Sequence, residues 1–168
     1  MAEVLIKATS EALVRIPVLN SVLVGDSILK FDRVNMAFAV ALDDGLVVPV
    51  IRDTNSKTIS EISGEVKSLS EAAKRGDLGP DDFMGGTFTI SILGSVDGFT
   101  PILNQAQVGL LGVGRSLQKP VVRDGEIVVR EMMTLSLTGD HQVVDGAMAA
   151  SFFRRLQRLI ESPSKLFA

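Results

Sequence analysis

The chain contains a single histidine, His141, inside a stretch that runs from Ser136 to Gly146. Histidine is the side chain best suited to taking up a proton near neutral pH, which makes His141 a candidate general base. A lone histidine in a turn is more often structural than catalytic. The surroundings here favour chemistry, because a hydrophobic run enters the stretch and a helix-forming run leaves it. A base at such a junction would be held between two rigid elements.

Asp145 follows His141 by four residues, at the point where the last predicted helix begins. An aspartate at this position is well suited to capping a helix, since its carboxylate accepts hydrogen bonds from the first free backbone N–H groups. We therefore expect a helix cap or another structural role for Asp145, rather than a direct relay of charge to His141.

The composition favours one domain with a sizeable core. The chain has 168 residues, of which 46% are hydrophobic, and its mean hydropathy is +0.31. No apolar run reaches the roughly 18 residues of a membrane span, so we assign the apolar excess to a core or a subunit interface and expect no membrane partner. A net charge of -3 with mixed signs, and the absence of Tyr and Trp, argue against a nucleic-acid partner.

Cysteine is absent and histidine occurs once. The chain therefore has no thiol nucleophile and no disulfide, and it offers a poor ligand set for zinc, so we expect no metal. The lack of cysteine fits a cytoplasmic location, which we predict. The first residues lack a basic region followed by an apolar one, so we expect no secretory signal peptide.

Hydrophobic periodicity predicts three helices, over residues 2–15, 58–75 and 145–161. The second has a basic last turn, which suits the helix dipole, and Gly76 after it suits a C-cap. A short helical turn is predicted over residues 79–84, where proline stands early.

Strands are predicted where β-branched and apolar residues cluster between turn signals. Pro49 falls inside one of them and predicts a bulge or an edge position. Strands outnumber helices and mostly connect through hairpins, which predicts an α+β fold with a mixed β-sheet. The predicted strands cover residues 22–24, 28–31, 34–42, 46–51, 87–93, 108–113, 121–122, 127–129 and 132–137.

Several stretches along the chain resemble one known family. His141, three further residues and Asp145-Gly146 resemble the signature of coenzyme A-dependent acyltransferases with the chloramphenicol acetyltransferase fold. The wider stretch 135–147 is similar to the acyltransferase core of the 2-oxo acid dehydrogenase complexes. One such match is a weak indication, whereas five in the expected order are a strong one. The other four cover residues 34–52, 83–91, 99–104 and 111–114.

The resemblance implies a chloramphenicol acetyltransferase-like fold, a mixed β-sheet with flanking helices, and an acyltransferase catalytic domain over residues 1–168. Its substrates would be coenzyme A and a dihydrolipoyl group, between which an acyl group moves. His141 would take the proton from the coenzyme A thiol, and Ser91 would offer its hydroxyl to the oxyanion of the tetrahedral intermediate. Asp145 would hold the active-site loop in shape. Without the resemblance, Ser91 is an ordinary strand serine.

The resemblance also implies a homotrimer whose active sites lie between subunits, so that Ser91 and His141 would meet across an interface. Such trimers would build a larger core, with lipoyl domains and the dehydrogenase components of the complex as partners. Residues 93–94 and 99–101 are more similar to acetyl-transferring members, which implies a pyruvate dehydrogenase complex, than to succinyl-transferring ones. Branched-chain acyl groups stay open as an alternative.

The sequence departs from the family pattern in three respects. The match begins at residues 4–8, where the family's domain is already under way, so its opening helix and strand are expected to be absent. Ile92 stands where the family commonly has Asn, beside a loop at residues 95–98 that is about two residues short, and Gln142 stands where Arg is usual. An incomplete channel makes a non-catalytic oligomeric scaffold, or a fragment of the core, the alternative function. The intact Ser91, His141 and Asp145 favour the enzyme.

Overall fold

A computed structural model describes residues 1–166. The α-helices are α1 (Ala2–Arg15), α2 (Ile59–Arg75) and α3 (Gly146–Glu161), and short 3₁₀ helices lie at Pro80–Phe83 and Pro163–Leu166. The strands are β1 (Ser21–Val24), β2 (Ser27–Lys30), β3 (Met36–Phe38), β4 (Val40–Leu42), β5 (Gly45–Val47), β6 (Val50–Ile51), β7 (Phe88–Ile92), β8 (Gly109–Val113), β9 (Leu117–Arg123), β10 (Glu126–Met132) and β11 (Leu135–Gly139). The three longer predicted helices are confirmed, with ends shifted by no more than one residue.

A five-stranded mixed sheet in the order β11-β8-β7-β3-β6 forms the centre of the fold. Strands β3, β7 and β8 are parallel, whereas β11 and β6 are antiparallel to their neighbours at the two edges. The pairs β1-β2, β4-β5 and β9-β10 are antiparallel hairpins. This arrangement confirms the predicted α+β class with a mixed sheet.

The two faces of the central sheet differ because side chains alternate along each strand. On one face Phe88, Ile90 and Leu111 are fully buried and belong to the main hydrophobic core. Phe88 packs against Phe152 of α3, with ring centroids 6.0 Å apart. The helices therefore cover this face, and Ser91 of β7 projects from the other.

Helix α1 contributes to the core because its apolar residues recur at helical spacing. Leu5, Ala8 and Ala12 lie on one side of the helix and are buried. The helix contacts both α2 and α3. From α3, Phe152 and Leu156 are fully buried, so the apolar face of the sheet and the helices form one continuous core.

Helix α2 has well-defined signals at both ends. At its start Thr58 and Glu61 form a capping box, in which the Glu61 N–H donates to Thr58 Oγ1 at 3.2 Å and the Thr58 N–H donates to Glu61 Oε2 at 2.8 Å. At its end Gly76 adopts a left-handed conformation with φ 75°. The predicted C-cap at Gly76 is therefore confirmed.

The single long strand predicted over residues 34–42 is wrong. The segment forms two strands, since β3 pairs within the central sheet while β4 pairs with β5 in a separate hairpin. The returning run also divides, because Pro49 lies between β5 and the edge strand β6. The sequence predicted a bulge or an edge position at Pro49, and the residue lies directly before the edge strand, where its missing N–H breaks no ladder.

The predicted strand over residues 132–137 is also wrong in its bounds. Met132 ends β10, and the strand that leads to His141 is β11, from Leu135 to Gly139. The β9-β10 hairpin is longer than the predicted pieces, with seven paired positions. Asp124 and Gly125 at its tip both have positive φ, as a tight hairpin turn requires. Among residues 1–166, no helix combines the length and apolar character of a membrane span.

Candidate active site

Ser91 lies in an open groove on the face of the sheet that the helices leave uncovered. The groove has a volume of about 370 Å³. Its floor includes Thr89, Ser91 and Leu110 of the parallel strands β7 and β8, and its walls are largely apolar. The wall residues are Ala39, Leu46, Val48, Phe99, Thr100, Pro101, Ile102 and Asn104.

The wall formed by residues 99–104 is held in place by β11. Ser136 Oγ donates to the carbonyl oxygen of Phe99 at 2.5 Å, and Thr138 Oγ1 donates to that of Pro101 at 2.6 Å. Gly112 lies in β8, opposite Ser136 of β11. A Cβ added at Gly112 would come 2.6 Å from Ser136 Oγ. Glycine at this position therefore lets the wall approach the sheet closely.

A chain of hydrogen bonds runs beneath the groove. Gln107 Nε2 donates to the carbonyl oxygen of Gly86 at 2.9 Å, which leaves Gln107 Oε1 to accept from Thr89 Oγ1 at 2.6 Å. Asn104 Nδ2 in turn donates to Thr89 Oγ1 at 2.8 Å. Each link fixes the direction of the next, so the chain fixes the orientation of the Asn104 amide at the groove wall.

The Ser91 hydroxyl is available for an incoming group. Ser91 is half-buried, and within the described residues its hydroxyl makes no hydrogen bond to another protein group. In the sheet register it stands opposite Gly112 of β8, which presents no side chain beside it. A small apolar group with an adjacent oxygen can therefore reach this hydroxyl from the groove.

His141 is exposed in the turn between β11 and α3. Asp140 organises this turn: its carbonyl oxygen accepts from the N–H groups of Val143 and Val144 at 3.0 and 2.9 Å, and its carboxylate accepts from the Gln142 N–H at 2.9 Å. Val143 and Val144 are buried and anchor the turn in the core. The imidazole is thus carried on a well-supported loop.

Asp145 caps α3. Its Oδ1 accepts a hydrogen bond of 2.8 Å from the Met148 N–H, and its backbone is extended, as an N-cap requires. The expected capping role is confirmed, and the carboxylate is engaged with the helix. Sequence reasoning missed the part that Asp140 has in the turn. Aspartate is a known turn residue, because its carboxylate can accept a hydrogen bond from the backbone N–H two residues further on.

The structure of one chain does not bring all the predicted site residues together. Ser91 lines the groove, whereas His141 is not among the residues that line it. Asp145 is near His141 in sequence but bonds to α3. In the part of the chain that the structure describes, no cluster of three or more His, Asp and Glu side chains has a geometry that could hold a metal ion.

The fold defines a class of protein. A solved chloramphenicol acetyltransferase superposes with a TM-score of 0.56 at 15% identity, over 94% of this chain and 76% of that one, which shows a shared fold alone. The predicted fold class is confirmed. The profile of the family described as 2-oxoacid dehydrogenases acyltransferase (catalytic domain) matches residues 1–168. The chain belongs to this family, as its motifs indicated.

Curated relatives of two kinds are similar to the chain. The dihydrolipoyllysine-residue acetyltransferase component of the pyruvate dehydrogenase complex of Rickettsia prowazekii is 38% identical over 161 residues, or 95% of this chain and 40% of that protein. The dihydrolipoyllysine-residue succinyltransferase component of the 2-oxoglutarate dehydrogenase complex of Rickettsia typhi is 40% identical over 164 residues, or 96% of this chain and 41% of that protein. The chain spans about two fifths of the length of these relatives.

Two solved structures match closely. They are the cubic core of the pyruvate dehydrogenase multienzyme complex and the dihydrolipoamide acetyltransferase of Azotobacter vinelandii. Each superposes with a TM-score of 0.93 at 38% identity, over 99% of this chain and 70% of the other. A serine, a histidine and an asparagine of the Azotobacter enzyme have been investigated for their role in its catalytic mechanism.

Proposed function

We propose that this chain is an acyltransferase domain that moves an acyl group between a dihydrolipoyl group and coenzyme A, within the core of a 2-oxo acid dehydrogenase complex. The observation that carries the proposal is the family match, which extends over residues 1–168. Curated relatives named for acetyl transfer and for succinyl transfer are both dihydrolipoyllysine-residue acyltransferases.

His141 acts as the general base. It takes the proton from the coenzyme A thiol, and the thiolate attacks the thioester carbonyl carbon of the acylated dihydrolipoyl group. Collapse of the tetrahedral intermediate breaks the bond to the dihydrolipoyl sulfur, which takes the proton back from the imidazolium. A positioned base of this kind contributes about 10²–10⁴-fold to the rate. The exposure of His141 on a supported turn favours this role.

Ser91 stabilises the intermediate by donating its hydroxyl hydrogen to the oxyanion. Removing one such donor costs about 10²–10³ in kcat. The free hydroxyl in the groove supports the assignment, and the largely apolar walls suit the hydrocarbon part of an acyl or dihydrolipoyl group. Asp145 maintains the His141 turn by capping the helix that follows it.

The spacing of the investigated residues in the Azotobacter enzyme supports these roles. The histidine and the asparagine are four positions apart there, as His141 and Asp145 are here. The serine-to-histidine separation is two residues shorter in this chain, which agrees with the short loop at residues 95–98. An aspartate replaces the asparagine, and either side chain can cap a helix.

The complete site forms between copies of the chain, in a homotrimer that builds a larger core. His141 of one subunit then reaches the Ser91 groove of its neighbour. The separation of His141 from the groove lining within one chain favours this arrangement, as does the similarity to a cubic core. The partners are lipoyl domains and the dehydrogenase components, the location is cytoplasmic, and coenzyme A and the lipoyl group act as substrates without a metal.

The acyl group is acetyl. The similarity of residues 93–94 and 99–101 to acetyl-transferring members favours it, and so does the similarity to acetyltransferases of pyruvate dehydrogenase complexes. Relatives that transfer succinyl groups are equally similar in overall identity. The test therefore compares turnover with acetyl, succinyl and branched-chain acyl donors.

The test is acyl transfer from acetyl-coenzyme A to dihydrolipoamide. The reaction is measured by the amount of free coenzyme A thiol that it releases. His141→Ala should reduce turnover by at least about 10²-fold with an unchanged melting temperature. Gln142→Ala, at the neighbouring exposed position of the same turn, should retain turnover within a few-fold. Near-normal turnover in His141→Ala would overturn the role of the base. Assembly without turnover for any acyl donor would favour the non-catalytic scaffold.

A further inference from the structure

Four arginines meet at a cavity on the helical side of the fold. Arg15 at the end of α1 faces Arg154, Arg155 and Arg158 of α3 across a space of about 440 Å³. Volumes of this size hold small molecules in proteins. The cavity lies beside the helices that cover the apolar face of the sheet, whereas the Ser91 groove opens on the opposite face. It is therefore a separate site.

The positive charge of this cavity is not balanced by the surrounding protein. No carboxylate lines it, and within residues 1–166 none of the four guanidinium groups forms a salt bridge. Arg154 and Arg158 are four residues apart on one helix face, an arrangement that is repulsive for like charges. The chain as a whole carries a net charge of -3, so this concentration of arginine does not follow from an overall basic composition.

One buried hydrogen-bond donor at the cavity indicates what kind of ligand the cavity would bind. The Nε of Arg155 is buried and has no partner among the described residues. A buried donor without an acceptor is unfavourable, and an anion in the cavity is an acceptor that removes this cost. Arg154 Nη2 donates to Ser151 Oγ at 2.9 Å, which holds that guanidinium at the edge of the cavity.

We propose that this cavity binds a compact, multiply charged phosphate group such as the pyrophosphate moiety of a nucleotide. Guanidinium groups present paired N–H donors in a plane, a geometry that matches phosphate oxygens. Four of them around a small-molecule-sized space favour a ligand with two or more negative charges over a single carboxylate. The position on the helical side assigns this anion to a site other than the acyl-transfer groove.

The experiment is calorimetric titration of the purified 168-residue chain with inorganic pyrophosphate at constant ionic strength. One site per chain is expected. The double variant Arg154→Gln/Arg158→Gln removes two exposed guanidinium groups, and its dissociation constant should rise at least about tenfold. The control is Lys119→Gln/Arg130→Gln on the β9-β10 hairpin, which changes the net charge equally and should bind as the parent does.

Three results would overturn the proposal. One is the absence of pyrophosphate binding at millimolar concentration in the parent chain. The second is an equal loss in both double variants, which would show a general charge effect. The third is binding that disappears when chloride replaces part of the supporting salt at constant ionic strength. Melting temperatures of both variants, which alter exposed residues only, establish that each is folded.

Discussion

The Asp145 carboxylate accepts a hydrogen bond of 2.8 Å from the Met148 backbone N–H, directly after the turn that carries His141. One end of that turn is fixed by Asp140 at the end of β11, and the other by this cap at the start of α3. The position of the imidazole is therefore coupled to the stability of the last helix.

Replacing Asp145 should distinguish capping from a charge effect on His141. Asp145→Ala removes the acceptor for the Met148 N–H and should lower the free energy of unfolding by about 0.5–2 kcal/mol. Asp145→Asn keeps an acceptor oxygen and should lose much less. Urea unfolding of both variants measures the difference. Equal destabilisation by the two substitutions would contradict a role based on the cap.

Two glycines should respond in opposite directions to alanine. At Gly114 a Cβ would clash with the Asp97 carbonyl oxygen, so Gly114→Ala must displace the backbone beside the Ser91 strand. We expect a loss of about 1–3 kcal/mol or more in the free energy of unfolding, as for other overpacked sites.

At Gly64, inside α2, a Cβ meets nothing within 4 Å. Gly64→Ala should stabilise the chain by about 0.5–1 kcal/mol. Thermal unfolding measures both, and a tolerated Gly114→Ala would contradict the close approach.

The helices were predictable because their signals are local. The Thr58–Glu61 capping box and Gly76 mark the ends of α2, and the helical spacing of apolar residues marks α1. The strands were less predictable, since residues 34–42 have a continuous β-forming composition. Their division at Ala39 depends on which distant strands each half pairs with, and composition does not contain that information.

The candidate site was predictable only in part for the same reason. His141 and Asp145 lie in one local motif, so their places at the end of a strand and the start of a helix followed from the sequence. The hydrogen bonds that join Thr89 to Asn104 and Gln107 connect segments 15 and 18 residues apart. Polar residues between two buried strands were the signal for this network, but they do not specify which groups pair.

The Glu61 carboxylate should contribute a pH-dependent part of the stability. The backbone N–H and then the hydroxyl of Thr58 donate to it and hold the pKa of Glu61 below its ordinary value of 4.5. A lowered folded-state pKa means that this stabilisation is present above the ordinary value and is lost as pH falls through the lowered one. The gap in urea midpoint between the parent and Glu61→Gln should therefore shrink from pH 7 to pH 3. A gap that stays constant between pH 7 and pH 3 would contradict this pH dependence. Glu71→Gln, at an exposed position of α2, is the control.

Thr89 is the centre of the hydrogen-bond chain beneath the groove, and its substitution should alter both stability and the groove wall. Thr89→Val removes the hydroxyl but keeps the shape, which leaves Asn104 Nδ2 and Gln107 Oε1 without their partner. A buried polar group left unpaired costs about 1–3 kcal/mol, so we expect a loss in that range by urea unfolding. Thr89→Ser keeps the hydroxyl and should retain the hydrogen bonds.

Hydrogen exchange at residues 99–104 should rise in Thr89→Val and stay low in Thr89→Ser, because this wall segment contains Asn104, which loses its acceptor only in Thr89→Val. Equal exchange in the two variants would show that the wall is held by Ser136 and Thr138 alone.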